Sequence, residues 1–303
     1  MSKTGLKRLV VTLIAALTIA MLAGCGGGNT NEAPAESTEA TTEATTETSG
    51  GSYSDLMIVP GLDLASEEYA IAFRVGSDAA LEVNDIIAEL NDDGTLASIA
   101  EKYDLGSTLM TNDAMQESFV GMDRIESGDL DSIKANGTLK IGITIFAPMN
   151  YYDDQGKLIG FDTEFAEAVC AKLGVTPEFI EINWDTKEVE LAAGKIDCIW
   201  NGLTVTEERR ANMEFTYSYI FNKQVVVIRT ADADKYKTVD DLAEANLTAE
   251  ISSAGESAIM DDSVLSGAPY TAMQKQTDTL LEVKAGTADA AVLDYTAANS
   301  LVG

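Results

Sequence analysis

Two series of alternating strand and helix patterns lie on either side of one long extended run. The first series covers residues 138–213 and contains buried strand patterns such as "TLKIGIT" and "IDCIWNG". The extended run, "EFTYSYIFNKQVVVIRT", occupies 214–230, and the second series follows it. Strands that alternate with helices form parallel sheets covered by helices. The pattern therefore predicts an α/β fold with two lobes, a long connection between them and a cleft where they meet.

The composition of the chain excludes some classes of function. The chain of 303 residues has 20 Lys and Arg against 50 Asp and Glu, a formal net charge of −30 and no histidine. Such a chain lacks the basic surface that binds nucleic-acid phosphates. It also lacks the commonest acid–base group at neutral pH and the commonest metal ligand. We therefore expect no nucleic-acid partner, no metal and no other cofactor, and we favour a binding protein over an enzyme.

The N-terminus has the features of a bacterial lipoprotein signal. Three basic residues precede an apolar run that ends in "LAGC" at Cys25. We expect a signal peptide at 1–24, a lipid on the Cys25 sulfur and a disordered tether at 25–52, which is rich in Gly, Thr, Glu, Ala and Ser. This arrangement predicts a protein held by its lipid on the outer face of the cell membrane.

Two further cysteines, Cys170 and Cys198, are compatible with a disulfide in an exported protein. Cys170 lies in a helix pattern and Cys198 in a buried strand pattern. The sequence leaves their pairing open, and buried free thiols are the favoured alternative.

Polar groups collect where strands give way to helices. Thr204 and Glu207 have capping-box spacing, and so do Ser253 and Glu256 in the second series. The free N–H groups at a helix start favour an anion, and Arg209 follows the first of these starts with a guanidinium suited to a carboxylate. Two helix starts from two lobes could converge on one small anion.

Asp294 ends the apolar strand pattern "ADAAVLD", at the edge of the sheet where α/β proteins place ligand groups. An α-ammonium group would satisfy a carboxylate buried there. The alternative is that Asp294 caps the helix pattern that begins at Tyr295.

Several segments together resemble a known family. "GKLIGFDTEFAEAVCAKLG", "GKIDCIWNGLTVTEERR", "AEISSAGESAI" and "GTADAAVLDY" occur in this order and resemble the amino-acid-binding branch of the bacterial extracellular solute-binding proteins. The resemblance covers nearly all of 132–303. It implies a two-lobed periplasmic-binding-protein-like fold of type II, a free amino acid as ligand, and a monomer that delivers it to the permease subunits of an ABC importer.

The resemblance also implies how the carboxylate end of the ligand is bound. Arg209 would bind the α-carboxylate with help from the Thr204 hydroxyl. The helix start at Ser253 would add the N–H group of Ala254 or Gly255.

The same resemblance assigns the ammonium end and the walls of the pocket. Asp294 and the carbonyl of Gly202 would take the α-ammonium group. Phe146 and Trp184 would be the aromatic walls around the ligand side chain.

Three positions bear on the choice of ligand. Relatives that bind basic amino acids resemble one another in having an acid three residues before the first aromatic wall, whereas this chain has Ile143 there. Glu250 occupies a place where a residue that contacts the ligand side chain is expected, and Asn201 is another polar candidate. We expect an amino acid with a polar side chain.

The segment 53–106 resembles the ending that the family has after its second lobe, although here it precedes the first. We therefore interpret the chain as a circular permutant. The expected organisation is lobe 1 at 74–106 and 132–222, lobe 2 at 53–73 and 223–303, and a linker at 107–131 that is mobile or a short helix. The two crossings between lobes are expected near 73–75 and 221–225. The helices at 79–93 and 95–104 should pack on lobe 1, and the strand at 68–74 should lie beside the run near 215–228.

Two other functions stay open at this point. One is an enzyme on the same fold, such as a dehydratase of a small acid, which the lack of histidine disfavours. The other is a sensory binding module that docks on a signalling receptor, which the sequence does not distinguish from an importer component.

Overall fold

The long extended run forms the centre of one large sheet. In the computed structural model, which describes residues 53–119 and 127–303, strand β7 covers Met213–Arg229. It pairs antiparallel with a strand β1 of similar length, Leu56–Arg74, from Leu56 opposite Arg229 to Arg74 opposite Met213. β7 is rich in β-branched and aromatic residues, which suit a sheet that is covered on its faces. The expected pairing of 68–74 with the run near 215–228 is confirmed.

Six shorter strands extend this central pair on both sides. Their bounds are Thr138–Ile143 (β2), Thr176–Glu181 (β5), Cys198–Ile199 (β6), Leu247–Glu250 (β8), Tyr270–Met273 (β9) and Ala290–Asp294 (β10). The order across the sheet is β5-β2-β6-β1-β7-β10-β8-β9. Pairs β2–β5, β2–β6, β8–β9 and β8–β10 are parallel, as the alternation of strands and helices predicts. Strands β3 (Tyr151–Tyr152) and β4 (Leu158–Ile159) form a separate hairpin.

Helices cover the sheet. They are Ala79–Asp92 (α1), Thr95–Lys102 (α2), Asn112–Ser118 (α3), Asp129–Asn136 (α4), Phe161–Leu173 (α5), Lys187–Ala192 (α6), Glu207–Asn212 (α7), Ala254–Asp261 (α8), Gln276–Ala285 (α9) and Tyr295–Leu301 (α10). Most have apolar residues at helical spacing on the face that packs inward. We call β5, β2 and β6 with their helices the first half of the fold, and β10, β8 and β9 with theirs the second half.

The two helices near the start of the chain pack on the first half. Leu96 of α2 and Ile87 of α1 are fully buried in the same core as Phe165 of α5. At the rim of this contact, Tyr103 donates a 2.6 Å hydrogen bond to Glu164 of α5. The position predicted from the sequence for these helices is therefore confirmed.

The point where β1 passes from one half to the other differs from the expected one. Ala72 and Phe73 already pair with β6 in the first half, and residues 68–70 bond to the loop at 203–205. The outer neighbour of β1 therefore changes near Glu67, and the expected crossing at 73–75 is wrong. On β7 the change of neighbour falls between Phe221 and Gln224, as expected.

One local pattern needs correction. The segment "TVDDLAEA" at 238–245 has the pattern of a helix but forms only a short 3₁₀ turn, Asp240–Leu242. Asp241 accepts hydrogen bonds from the backbone N–H groups of Lys237 and Thr238 and so fixes a loop there. The linker contains the short helix α3, which packs against β7 and agrees with one of its expected forms, and Asp129 begins a second helix, α4. The linker residues 120–126 lie outside the described part.

The thiols of Cys170 and Cys198 are both buried and free. The favoured alternative for this pair is thus confirmed. The signal peptide, Cys25 and the tether lie outside the described residues. Within 53–119 and 127–303, no helix is both long and apolar enough to cross a membrane.

Candidate functional site

A cavity of about 280 Å³ lies between the two halves of the fold. The sequence-predicted site residues line it, with the exception of Gly255. The first half contributes Phe146, Trp184, Asn201, Gly202, Thr204 and Arg209, and the second half contributes Glu250, Ser253, Ala254 and Asp294. Thr144 and Gln276, which the sequence did not single out, complete the lining.

Arg209 is held in place by the backbone. It is 7% exposed, and its Nη1 donates to the Thr204 carbonyl at 2.8 Å while its Nη2 donates to the Ser252 carbonyl at 3.1 Å. Ser252 belongs to the second half, so this bond joins the two halves beside the cavity. No carboxylate of the described residues lies within ion-pair distance of the Arg209 guanidinium. A buried guanidinium in this position favours an anionic ligand group.

Asp294 lies on the second half and is 5% exposed. Its Oδ1 accepts hydrogen bonds from Tyr69 at 2.7 Å, from Asn222 at 2.6 Å and from Gln224 at 2.9 Å, and its Oδ2 accepts from Gln276. The side chain makes no capping bond to α10. This result removes the alternative in which Asp294 serves as a side-chain cap.

Two residues of β1 belong to this cluster, although the sequence did not mark them. Glu67 accepts hydrogen bonds from Thr204 at 3.1 Å and Gln224 at 2.9 Å, and Tyr69 is fully buried. Both come from the segment before the first lobe in sequence. Their alternating strand pattern gives no sign that they meet Asp294, which lies 225 positions away from Tyr69.

Gly202 has a conformation that only glycine adopts without strain. Its φ is +58°, and an added Cβ would stand 2.7 Å from Cε1 of Phe146. Its N–H donates to the carboxyl group of Asp162 at 2.7 Å. Asp162 is fully buried, which raises its pKa to about 7, and it also accepts a hydrogen bond from Tyr219. Asp162 therefore positions the Gly202 backbone beneath the cavity.

Asn201 has partners for its whole side chain. Its Oδ1 accepts from the Thr144 N–H and hydroxyl, and its Nδ2 donates to the Thr144 carbonyl and to Asn150. These bonds fix the loop that carries Phe146. The side chains of Phe146 and Trp184 are 6% and 8% exposed and form opposite parts of the cavity lining.

Glu250 is the second buried acid of the second half that faces the cavity, with 5% exposure. Burial raises its pKa to about 8, and the charges of Asp294 and Asp278 act in the same direction. Lys187 and a hydrogen bond from Gln276 oppose the shift. The carboxyl group can therefore act as a donor or an acceptor near neutral pH.

Lys187 is a buried cation that the sequence did not single out. It is 3% exposed, lies 4.7 Å from the ring centre of Trp184, and donates to the carbonyls of Trp184 at 3.1 Å and Ser252 at 3.0 Å. Burial, with the charge of Arg209, lowers its pKa to about 8. Ser252 has a φ of +56°, and in this conformation its carbonyl receives bonds from Lys187 and Arg209 of the opposite half.

The two expected helix starts differ. Ser253 caps α8, because its Oγ accepts from the Glu256 N–H at 3.1 Å, as predicted. The cap of α7 is Thr206 and not Thr204, since Thr206 accepts from the Arg209 N–H and frees the Thr204 hydroxyl for Glu67.

Gly255 permits close packing. An added Cβ there would stand 2.7 Å from the Val292 carbonyl oxygen, so Gly255 lets α8 approach β10. Its neighbour Ala254 is the residue of this helix start that lines the cavity beside Ser253.

The site thus presents a guanidinium, a carboxylate and aromatic side chains around one small cavity. Such a cavity can bind a small molecule that carries an anion and a cation a short distance apart. Among the described residues, no group of three acidic or cysteine side chains has the arrangement of a metal site.

Comparison with known proteins supports this description. The model of the bacterial extracellular solute-binding proteins, family 3, matches residues 139–296. The chain belongs to this family. The expected resemblance and the type II periplasmic-binding fold are thereby confirmed, while the permuted order is not part of what the match shows.

Individual members of the family are similar over parts of the chain. The L-cystine-binding protein TcyJ of Escherichia coli is 30% identical over 118 residues, which cover 39% of this chain and 44% of that protein. The chain thus matches less than half the length of this relative. The arginine-bound Gly52Ala mutant of ArgBP from T. maritima is 32% identical, with a TM-score of 0.53 and coverage of 56% and 79% of the two chains.

A third similar protein bears on the enzyme alternative. The ancestral amino acid-binding protein AncCDT-1, described as a precursor of cyclohexadienyl dehydratase, is 31% identical. Its TM-score is 0.54, with coverage of 56% of this chain and 75% of that chain. All three proteins are described as binding proteins.

Proposed function

We propose that this protein is a receptor that captures a free amino acid and delivers it to the permease subunits of an ABC importer. The observation that carries the proposal is the placement of Arg209 and Asp294 around one cavity of about 280 Å³. Their opposite charges suit the α-carboxylate and the α-ammonium group of a single amino acid. The cavity is small, which favours a small ligand over a peptide.

The remaining site assignments follow the family resemblance. We propose that Thr204, Ser253 and Ala254 assist Arg209 with the α-carboxylate and that the Gly202 carbonyl assists Asp294 with the α-ammonium group. Phe146 and Trp184 are proposed as the walls around the ligand side chain. We give Asn201 and Gly255 supporting roles, since Asn201 fixes the Thr144 loop and Gly255 allows helix packing.

A thermal-shift screen with the twenty amino acids plus ornithine, citrulline and cystine tests this function. We expect one amino acid or a small set to raise Tm, because a ligand that binds only the folded state at 100 times its Kd stabilises it by about 2.7 kcal/mol. The absence of a shift with every compound at millimolar concentration would contradict an amino-acid receptor.

We propose a polar side chain for the ligand, because the polar side chains of Glu250 and Gln276 line the cavity. Repeating the screen with Glu250→Gln tests this assignment. The order of the amino acids in the screen should change while the response to the common α-amino and α-carboxyl groups persists. An unchanged order would mean that Glu250 does not contact the ligand side chain.

We propose that Cys25 carries a lipid that holds the receptor on the extracellular face of the cell membrane, since the signal at 1–24 ends in "LAGC". Cells that express the protein can be fed a labelled fatty acid. The wild type should become labelled and Cys25→Ser should not, and equal labelling would contradict the anchor.

We also propose that the chain is a circular permutant, with 107–131 as the linker between the family's usual ends. The family match begins at residue 139, whereas β1 and α1 come before it and still complete the centre and the first half of the sheet. The N–H of Tyr53 donates to the Leu301 carbonyl at 3.1 Å, so a direct connection between these two segments needs little rearrangement.

We propose that the two halves of the sheet are the lobes of this receptor and that β1 passes from one lobe to the other near Glu67. An enzyme and a sensory module remain alternative functions, but no residue of this site favours either of them over a receptor. The relatives described above are named for binding. Catalysis on the ligand would require an acid–base group, and Glu250 is the one residue lining this cavity whose pKa lies near neutrality.

A further inference from the structure

Glu67 and Asp294 accept hydrogen bonds from the same two amide groups. Nδ2 of Asn222 and Nε2 of Gln224, two residues apart on β7, each donate to Oε1 of Glu67 and to Oδ1 of Asp294. The Gln224 bonds are both 2.9 Å long. Two carboxyl groups from different strands are therefore held side by side, and one of them, Asp294, lines the cavity.

These shared donors hold the two carboxyl groups close together. Two ionised carboxylates this close in a buried site repel each other, which favours a proton on one of them. Within the described residues, no Lys or Arg nitrogen lies within 4.0 Å of either group to balance a second negative charge. Burial and the neighbouring Asp294 raise the pKa of Glu67 well above its ordinary value, in agreement with this geometry.

We propose that Glu67 and Asp294 form a proton-sharing pair that receives the ammonium group of the ligand, so that binding releases a proton. This inference rests on the proposed function and adds Glu67, from the leading strand, to the amino-acid site. Before binding, the pair carries one proton and one negative charge. The ligand's –NH₃⁺ keeps its own protons and donates to both groups, and the shared proton leaves for solvent.

The groups around the pair make this exchange favourable. Tyr69 donates to Asp294 at 2.7 Å and Thr204 donates to Glu67 at 3.1 Å, so both carboxylates keep donors after the proton leaves. The charge of Arg209 acts on both carboxyl groups from a greater distance. Glu250, from β8, also lies near Asp294, and with its pKa raised to about 8 it stays largely protonated at pH 7. A cation placed between Glu67 and Asp294 replaces the proton as the group that offsets their repulsion.

The first test needs no ligand and compares Tm of the wild type and Glu67→Gln between pH 4.5 and pH 8. Because the folded-state pKa of Glu67 is raised, its contribution to stability is fully present below the unfolded pKa and is lost as pH rises through the folded pKa. The Tm of Glu67→Gln minus that of the wild type should therefore increase with pH. Glu250 and Asp162 titrate in both proteins and largely cancel from this difference.

Glu68→Gln is the matched control, since it removes a carboxyl group from the next position of the same strand, away from the pair. Its Tm difference from the wild type should be flat over this pH range. A flat difference for Glu67→Gln as well would overturn the shared proton.

The second test measures proton release on binding. Calorimetric titrations with L-arginine, L-histidine and L-glutamine at pH 7 in two buffers of different ionisation enthalpy give the number of protons released. We expect close to one for the wild type and close to zero for Glu67→Gln. Binding by the wild type without proton release would overturn the inference. Failure of all three probes and of the wider screen would instead remove the proposed function, and the ligand-free measurement would still decide whether the pair shares a proton.

Discussion

At the scale of single residues, the backbone at Gly202 determines the shape of the cavity floor. We expect Gly202→Ala to destabilise the fold by at least about 1–2 kcal/mol, the usual cost of a left-handed conformation for a residue with a Cβ. The new Cβ would also stand 2.7 Å from Phe146 and move this wall of the cavity, which should weaken amino-acid binding. Denaturant unfolding and calorimetry measure the two effects.

Gly267→Ala is the control for this substitution, because an added Cβ at Gly267 meets nothing within 4 Å. Its effect on the free energy of unfolding should stay within about 1 kcal/mol. Equal stability of the two variants would show that the Gly202 conformation is not required.

Lys187 makes the free energy of unfolding depend on pH in the alkaline range. Its folded-state pKa of about 8 lies below the ordinary value of 10.5, so the unfolded chain binds more protons between these values and stability rises with pH there. At pH 7 the charged, buried Lys187 costs roughly 3 kcal/mol relative to an unperturbed lysine, from about 1.4 kcal/mol per pKa unit.

Lys187→Met should therefore gain stability relative to the wild type at pH 7 and lose this advantage as pH rises from 8 to 10.5. Urea unfolding at four pH values measures the difference, with Lys195→Met, an exposed lysine, as control. A difference that does not vary with pH would contradict the lowered pKa of Lys187.

Sequence reasoning located the residues whose function depends on local pattern and missed those that act through distant contacts. Asp294 ends a recognisable strand and Ser253 begins a recognisable helix, so both were found. Glu67, Tyr69 and Lys187 contact residues of the cavity only because separate segments fold together, and nothing in their neighbouring residues indicates this.

At the scale of elements, the packing of α2 on α5 holds the leading segment to the family's core. Leu96 is fully buried between them, and Leu96→Ala should lower the free energy of unfolding by about 2–5 kcal/mol, the usual effect of such a cavity. The control is Leu281→Ala on α9, where Leu281 is 46% exposed, and it should change the free energy of unfolding by no more than about 0.5 kcal/mol. Chemical denaturation compares the two variants, and a negligible loss for Leu96→Ala would mean that α2 is not an integral part of the fold.

The elements show where periodicity is sufficient. The extended run at 214–230 was predicted to within a residue of β7, and the two helices expected at 79–93 and 95–104 match α1 and α2. The helix expected after residue 236 formed only a 3₁₀ turn because the side chain of Asp241 bonds to the local backbone. The cap of α7 was placed two residues early because Thr204 and Thr206 both match a cap, and only the fold assigns Thr204 to Glu67.

At the scale of the whole molecule, the order of segments is the most unusual proposal. A gene in which 53–106 follows Gly303 should give a protein with the same fold and an amino-acid affinity within a few-fold of the wild type. Loop-closure entropy changes by only about 0.6 kcal/mol per doubling of loop length, so the new connection costs little. Circular dichroism and calorimetry check the product. A folded product that no longer binds would show that the present order is needed for function.

The site as a whole could be predicted because the strands of each half end at the cavity between the halves: Gly202 follows β6, and Glu250 and Asp294 end β8 and β10. The position of the crossing on β1 could not, since it depends on which strand becomes its outer neighbour. The alternation of residues along a long strand is the same whichever half of the sheet the strand lies in.

Binding of the ligand carboxylate by Arg209 is the central claim of the proposed function. Calorimetric titration of the wild type, Arg209→Ala and Arg210→Ala with the amino acid that gives the largest thermal shift measures this role. Arg210 is the neighbouring arginine, which donates to the Ser118 carbonyl instead of lining the cavity. A hydrogen bond to a charged group contributes roughly 1.5–3 kcal/mol, so Arg209→Ala should weaken binding by at least about tenfold while Arg210→Ala leaves it nearly unchanged. Equal affinity of Arg209→Ala and the wild type would contradict the account.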